Sequence, residues 1–176
     1  QIAALTDAEL AAYVDALTAL RAEWTLTPRQ QIADDLADVV EELMYGGAAG
    51  GGKSELLLFH VNRWSKKIPR HSTLILRTGF PELRRTLIRR SQIRFLPHVT
   101  AVNGVAAEYR VGDKEWRYGN GSIIEFGFCD TEDDVRQYLS AEYDIIAIDE
   151  STDFSGEQIE MLRSRLRTEG WKAALG

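Results

Sequence analysis

The chain has 176 residues, of which 44% are hydrophobic and 27% charged, and its formal net charge is −6. This composition is typical of one folded domain and excludes a disordered or fibrous chain. A single cysteine, Cys129, excludes an internal disulfide and a multi-cysteine zinc site, so we expect a reducing, cytosolic setting. The longest apolar runs, such as residues 56–59, are far shorter than the ~20 residues of a membrane span, and secretion is not expected.

Two helices are expected before the first strand. Thr6 and Glu9 form a capping-box pattern, and apolar residues follow at helical spacing as far as Trp24. A second helix is expected to begin at Thr27 as N-cap with Pro28 in the first helical position. Its apolar residues, which we expect to form a buried stripe, are Ile32, Leu36, Val39, Val40 and Leu43. The pattern divides the chain into a helical lead-in, residues 1–26, and a main domain, residues 27–176.

Short apolar strands then alternate with helices. The expected strands are residues 43–45, 73–77, 108–111, 115–118, 123–128 and 143–148, and the expected helices are residues 54–64, 81–90, 130–139 and 155–167. Turn residues at 112–113 and 119–122 join three of these strands as antiparallel neighbours. The alternation predicts an α/β fold: a mainly parallel central sheet flanked by helices, with N-terminal helices and a β-hairpin insertion.

A glycine-rich segment matches the pattern G-x-x-x-x-G-K-[ST], between an expected strand and an expected helix. Its residues are Gly47, Ala48, Ala49, Gly50, Gly51, Gly52, Lys53 and Ser54. Glycines let several backbone N–H groups point into one concavity, and the helix that follows adds its positive end. In such a phosphate-binding loop Lys53 lies between the β- and γ-phosphates, and the Ser54 hydroxyl binds Mg²⁺. The alternative is a glycine-rich turn in which Lys53 and Ser54 follow by chance. The spacing of the glycines, the Lys-Ser pair and the expected flanking strand and helix together favour a nucleotide site.

Two acids follow the apolar strand at residues 143–148, namely Asp149 and Glu150. Strand ends of this kind open onto the crevice where α/β proteins bind ligands. Asp149 is predicted to hold Mg²⁺ through water or through Ser54. Glu150, expected to point to the other side, is predicted to orient or deprotonate the attacking water. Because a water-activating glutamate favours hydrolysis over transfer to a hydroxyl, we predict an ATPase with Glu150, Asp149 and Lys53 as catalytic residues.

Gln30 has two interpretations. It lies three residues after Thr27, so its side chain can complete a capping box at the start of the second helix. Its amide can instead pair with the edge of adenine, since it offers a donor and an acceptor side by side. From the residues alone the capping interpretation is favoured about two to one.

The γ-phosphate usually requires an arginine in addition to the loop lysine. Several arginines are candidates, and the residues alone do not choose among them. They are Arg77, Arg136, Arg163, Arg165 and Arg167.

Charge is segregated along the chain. Residues 1–45 carry nine acids and two arginines, whereas residues 61–94 carry ten bases and one acid, Glu82. A basic block of this kind can bind nucleic acid, but it can equally be a solvated face or a docking site for an acidic partner.

The assembled pattern resembles the ATPase domain of the large terminase subunit, the DNA-packaging motor of tailed bacteriophages. The resemblance covers about residues 24–167 and depends on five segments as well as the acid pair. They are residues 27–30, 46–54, 74–83, 120–126 and 162–167, together with residues 142–150. It implies a P-loop NTPase of the additional-strand, catalytic-glutamate type, and it favours contact between Gln30 and adenine. The loop also departs from some relatives, which carry an arginine where this chain has Ala48 and Ala49, so an arginine finger stays unassigned.

The resemblance further implies ATP and Mg²⁺ as cofactors and ATP-driven translocation of double-stranded DNA into a capsid. Implied partners are DNA, the portal protein, the small terminase subunit and further copies in a ring, although the isolated chain can be monomeric; no membrane is involved. The implied location is the cytoplasm of an infected bacterium. A coupling motif and a nuclease domain are expected beyond Gly176, so these residues are not expected to cleave DNA.

Three alternatives remain. A helicase-like or other DNA-dependent P-loop ATPase fits Asp149-Glu150, although a helicase needs a second motor domain. A nucleotide-gated assembly module would bind ATP with little turnover, because a missing arginine finger costs factors of ~10³ or more. A kinase would require an acceptor and show no dependence on DNA.

Overall fold

The structure is a computed structural model that describes Thr6, residues 24–47 and residues 50–167. The expected first helix lies outside the described residues apart from its two ends, as do Ala48 and Ala49. Trp24 packs on Phe59 and Phe95, with ring centroids 5.6 and 6.0 Å apart. The Trp24 side chain is therefore packed against the rest of the domain.

A five-stranded sheet forms the centre of the fold. Its strands are β1 (Ser72–Arg77), β2 (Glu108–Arg110), β3 (Glu115–Arg117), β4 (Ile123–Phe128) and β5 (Ile145–Ile148). Their order is β2-β3-β4-β1-β5. β1 pairs in parallel with β4 and β5, whereas β3 pairs antiparallel with β2 and β4.

The sheet is therefore mixed, and the prediction of a mainly parallel sheet is wrong. The β2–β3 hairpin was expected as an insertion, and it continues the central sheet because β3 pairs directly with β4. The α/β class, the antiparallel strands and the flanking helices are confirmed.

The predicted helix after Thr27 ends sooner than expected, at Ala37 before Val39, Val40 and Leu43, and the one predicted at residues 130–139 is 3₁₀. The described helices otherwise lie close to their predicted positions. They are α1 (Pro28–Ala37), α2 (Lys53–Lys67), α3 (Phe80–Leu83), a π-helical turn (Arg84–Ile88), α4 (Arg89–Arg94), α5 (Pro97–Thr100) and α6 (Gly156–Arg163). Two 3₁₀ turns, Glu132–Tyr138 and Ser151–Asp153, complete the set. Of the residues described, none belongs to a helix with the length and apolar character needed to cross a membrane.

The core lies on both faces of the sheet because residues of a strand alternate in direction. On one face Ile75 of β1 packs with α2 and the π-helical turn, for example with Leu58 and Leu87. On the other face Leu74 and Leu76 pack with side chains of the first 3₁₀ turn and of α6. β1 is consequently buried on both faces of the sheet, between β4 and β5.

Residues 43–45 form no strand, so the predicted strand before the glycine-rich loop is wrong. Met44 is 79% exposed, and β5 lies at the edge of the described sheet with β1 as its strand partner. A strand of three apolar residues followed by glycines gains only a few hydrogen bonds from a neighbouring strand. These do not offset the conformational entropy that the segment would lose on being ordered. The expected buried strand at residues 143–148 is accordingly a half-buried edge strand, Ile145–Ile148.

The apolar stripe expected on α1 is not buried among the described residues. Ile32 is 61% exposed and Val39 76% exposed. The helix instead buries Gln30, Ala33 and Asp34. Hydrogen bonds and ion pairs, rather than apolar contacts, fix α1 to α2, and they determine which face turns inward.

Asn120 and Ser122 terminate α2. The Asn120 side-chain amide donates to the Ser65 carbonyl at 2.9 Å, and the Ser122 hydroxyl donates to the Ile68 carbonyl at 2.8 Å. The last carbonyls of a helix have no partner within the helix. The segment before β4 therefore supplies those partners and fixes α2 to the sheet.

Candidate functional site

The glycine-rich loop, residues 46–54, and the acid pair, Asp149 and Glu150, meet at the carboxyl ends of β1 and β5. Ser54 is the second residue of α2, and Asp149 directly follows β5. The Ser54 hydroxyl lies 3.4 Å from both carboxylate oxygens of Asp149, although the two residues are 95 positions apart in the chain. The fold thus brings the two predicted motifs into contact.

The described part of the glycine-rich loop brings the Gly47 carbonyl next to the Lys53 side chain. Gly47, Gly50 and Gly52 have φ values of 147°, 83° and 73°, which residues with a Cβ rarely adopt. Lys53 begins α2, and its ammonium donates to the Gly47 carbonyl at 2.9 Å. The described part of the loop is therefore curved around the lysine that was predicted to meet phosphate.

Gln30 connects α1 to this loop. Its side-chain oxygen accepts from the Thr27 N–H at 2.8 Å, and its amide nitrogen donates to the Gly52 carbonyl at 2.9 Å. The capping box is confirmed, while the contact with adenine stays a prediction. A Cβ at Gly52 would displace the Gln30 amide from this position, and the φ of 73° itself favours glycine.

The acid pair is bound by one arginine. Arg77, the last residue of β1, donates to Asp149 at 2.9 Å and to Glu150 at 2.6 Å. Asp149 is 6% exposed, whereas the Glu150 side chain is 46% exposed. One carboxylate is thus buried beside Ser54, and the other reaches solvent at the rim.

The expected opposite direction of Glu150 is not observed. Glu150 adopts a left-handed conformation, with φ 57° and ψ 50°, which ends the strand alternation directly after Asp149. Both carboxylates therefore reach the same guanidinium. Non-glycine residues in this region cost roughly 1–3 kcal/mol and cluster at functional sites.

Of the five candidate arginines, Arg77 contacts the acid pair, and the other four contact residues elsewhere. Arg136 pairs with Asp133, Arg163 with Glu42 and Glu160, Arg165 with the Leu139 carbonyl, and Arg167 with Glu142 and Asp144. These pairings place Arg77 within the site. Which arginine would act as a finger on the nucleotide of a neighbouring copy stays unassigned.

Sequence reasoning missed Thr86. Its hydroxyl accepts from Arg77 at 3.3 Å and donates to the Glu82 carbonyl at 2.6 Å. Thr86 lies in the π-helical turn, so this turn touches the site through Arg77. A lone threonine in a predicted helix carries no sequence signal for that role.

A second missed feature joins α1 to α2 behind the glycine-rich loop. The Asp34 carboxylate contacts His60 at 2.7 Å and Arg63 at 3.0 Å, and Arg63 also binds Asp38. Burial alone raises the pKa of Asp34, but the hydrogen bond with His60 and the charge of Arg63 lower it below its ordinary value. We call these four side chains, Asp34, Asp38, His60 and Arg63, the joint between α1 and α2. The joint fixes α1 beside α2 and so helps to place Gln30 against Gly52.

The donor set at Ser54 and Asp149 fits Mg²⁺, which prefers oxygen ligands and usually takes one or two from protein and the rest from phosphates and water. The Asp149 oxygen not bound by Arg77 also lies 3.4 Å from the Ser54 hydroxyl. Within residues 24–47 and 50–167, no group of three or more His, Cys, Asp or Glu side chains forms a metal site. Ser54 and Asp149 offer oxygen donors of the kind that Mg²⁺ takes from protein.

No protein-family model, curated protein or solved structure matches this chain.

Proposed function

We propose that the chain is a P-loop ATPase, and specifically the ATPase part of a large terminase subunit that drives double-stranded DNA into a capsid. The observation that supports an ATPase most strongly is the contact between Ser54 and Asp149 at 3.4 Å. This contact brings Ser54, the last residue of the phosphate-loop pattern, to Asp149, the acid that a P-loop NTPase uses for its Mg²⁺ site. The narrower assignment to a terminase rests, in addition, on the resemblance of residues 24–167 to that family.

The proposed roles follow from position. Backbone N–H groups of the glycine-rich loop and the Lys53 ammonium, released from the Gly47 carbonyl, bind the phosphates in this proposal, because both groups carry positive charge. Ser54 and Asp149 hold Mg²⁺, which when bound neutralises charge on the phosphates. Glu150, at the exposed rim, takes a proton from the attacking water after Arg77 releases it.

The wider setting belongs to the same proposal. The motor contains several copies in a ring, with the portal protein, the small terminase subunit and duplex DNA as partners, in the cytoplasm of an infected bacterium. The proposed fold type within the α/β class is the additional-strand, catalytic-glutamate P-loop NTPase. Gln30 contacts adenine in this proposal by exchanging its bond with the Gly52 carbonyl for bonds with the base.

A nucleotide-gated assembly module is the second candidate, and the contacts of Arg77 favour it. One guanidinium binds both carboxylates at 2.9 and 2.6 Å, so the acid that would activate water is engaged. In such a module ATP orders a surface and turnover stays low.

Steady-state phosphate release, measured with and without duplex DNA, tests the ATPase. The Lys53→Ala variant should lose nucleotide binding and lower phosphate release about a hundredfold or more, because a charge that stabilises the transferring phosphoryl group is lost. Lys66→Ala, at the opposite end of α2, is the matched control and should retain both. Tight nucleotide binding without release would favour the gated module, and equal activity of Lys53→Ala would refute the nucleotide site.

A further inference from the structure

The helical segments after β1 present three arginines to solvent on one side. Arg84, Arg85 and Arg89 are exposed, and we call them the arginine face. The opposite side of the same segments buries Leu83 and Leu87, both fully. The hydrophobic side thus fixes the helix to the core, and the arginine face is held outward.

The positive charge of this face is largely uncompensated. Arg85 pairs with Glu82 at 2.7 Å, but no acid in the described part of the chain pairs with Arg84 or Arg89. The neighbouring Arg90 and Arg94 share one carboxylate, that of Glu55, at 3.5 and 2.9 Å.

The π-helical turn aligns Arg84 with Arg89. The Arg89 N–H bonds to the Arg84 carbonyl five residues earlier, so Arg89 lies one wide turn above Arg84 rather than around the helix from it. One helical turn rises by about 5 Å. Two long guanidinium side chains at that spacing can reach neighbouring phosphates of one strand, which are about 3.4 Å apart along the axis.

We propose that the arginine face binds the phosphate backbone of duplex DNA. Arginine forms paired hydrogen bonds with phosphate, and a row of arginines matches an extended chain of phosphates better than one small anion. The net charge of −6 repels a polyanion over much of the molecule, so contact is made where cations cluster. Residues 84–94 carry five arginines, which pair, among the residues that the structure describes, with the carboxylates of Glu82 and Glu55 alone. The choice of DNA rests on the proposed function, whereas the location rests on the charges.

This face is also connected to the acid pair. Thr86 lies in the same turn as Arg84 and Arg85, and its hydroxyl accepts from Arg77 at 3.3 Å. Arg77 in turn binds Asp149 and Glu150. The helical turn that carries Arg84 and Arg85 therefore also contacts, through Thr86, the arginine that holds the acids.

Binding of a labelled duplex, followed by anisotropy across a salt titration without nucleotide, tests the proposal. The double variant Arg84→Ala with Arg89→Ala should weaken binding by about tenfold or more. It should also reduce the slope of log K against log salt by about two, because each lost phosphate contact removes about 0.9. Lysines at the same two positions keep the charges and should retain most of the affinity.

The matched control is Arg110→Ala with Arg117→Ala, which removes two charges from exposed arginines that pair with Glu108 and Glu115. It should leave the salt slope nearly unchanged. The proposal is overturned if this control weakens binding as much, if the unaltered chain does not bind at low salt, or if polyglutamate competes as well as DNA at equal charge. The last outcome would assign the face to an acidic protein.

The two proposals fail separately. Localised DNA binding with no phosphate release would leave the arginine face standing and refute the ATPase. Phosphate release that requires Lys53, with DNA binding unaffected by the variants at Arg84 and Arg89, would do the reverse.

Discussion

Arg77 and Glu150 define the candidate site at the scale of single residues. Glu150 lies in the left-handed region at φ 57°, a conformation that costs roughly 1–3 kcal/mol unless its surroundings compensate. Its ion pair with Arg77 at 2.6 Å is one such compensation. This part of the fold therefore determines the orientation of the Glu150 side chain as well as its position after β5.

Replacing Glu150 by glutamine tests its role. Glutamine keeps the size of the side chain and removes its ability to accept a proton, so nucleotide binding should persist while phosphate release falls about 10²- to 10⁴-fold. Binding is measured by calorimetry and turnover by phosphate release. Glu157→Gln, an exposed acid in the first turn of α6, should change neither quantity. Near-normal turnover of Glu150→Gln would mean that another group activates the water.

At the scale of elements, the joint between α1 and α2 explains why α1 packs as it does. Asp34 is 3% exposed and contacts both His60 and Arg63, while the Trp64 indole N–H donates to Asp38 at 2.9 Å. A buried carboxylate is tolerated only when it is paired and hydrogen-bonded. The joint therefore fixes the orientation of α1, and Gln30 reaches the Gly52 carbonyl as a result.

Asp34→Asn should destabilise the domain. The amide cannot replace the charge that faces Arg63 and His60, so the free energy of unfolding should fall by about 2 kcal/mol. Urea unfolding measures this change. Asp35→Asn, at the next and exposed position of α1, should stay within about 0.5 kcal/mol of the unaltered chain. Equal effects at the two positions would show that the joint contributes little.

At the scale of the whole molecule, folding changes what the linear charge pattern means. Residues 61–94 carry ten bases, yet Arg63 pairs with Asp34 and Asp38, and Arg77 with Asp149 and Glu150. Much of the basic block is thus neutralised internally. Among the described residues, Arg84 and Arg89 of the arginine face have no acid partner, and neither have Lys66, Lys67 and Arg70 near the end of α2.

His71 links the stability of the whole domain to pH. It is 1% exposed, stacks on Trp64 and lies 3.1 Å from the Thr73 hydroxyl. Burial above all, opposed by the charge of Asp144 and assisted by the charges of His60 and Arg167, lowers the pKa of His71 to about 4. The folded domain therefore excludes the proton that the unfolded chain accepts near pH 6.5.

Because the folded pKa is depressed, stability is complete above about pH 6.5 and is lost as the pH falls toward 4. Each pH unit in this window should remove about 1.4 kcal/mol from the free energy of unfolding. Urea unfolding at a series of pH values measures the slope. His71→Gln should show a clearly smaller slope over the same window, and an identical slope would assign the pH dependence to other groups.

Local sequence patterns predicted the elements of this fold well. The capping box at Thr27 and Gln30, strand β4 (Ile123–Phe128) and the β2–β3 hairpin follow from side-chain chemistry within a few residues of each other. The glycine-rich loop and the acid pair were also apparent, because each depends on a short run of particular residue types. The parts that were not predictable depend on which distant residues meet.

The α/β class, the places of most helices and strands, and the two motifs of the candidate ATPase site could all be read from the residues in order. The pairing of β3 with β4 in a mixed sheet, the burial of Asp34 rather than Ile32 on α1, and the binding of both acids by Arg77 became apparent in the folded chain. The difference lies in the distance along the chain over which each interaction acts. Capping, turn formation and periodicity act between residues close in the chain, whereas strand order, helix orientation and ion pairing depend on burial and charge brought together from far apart.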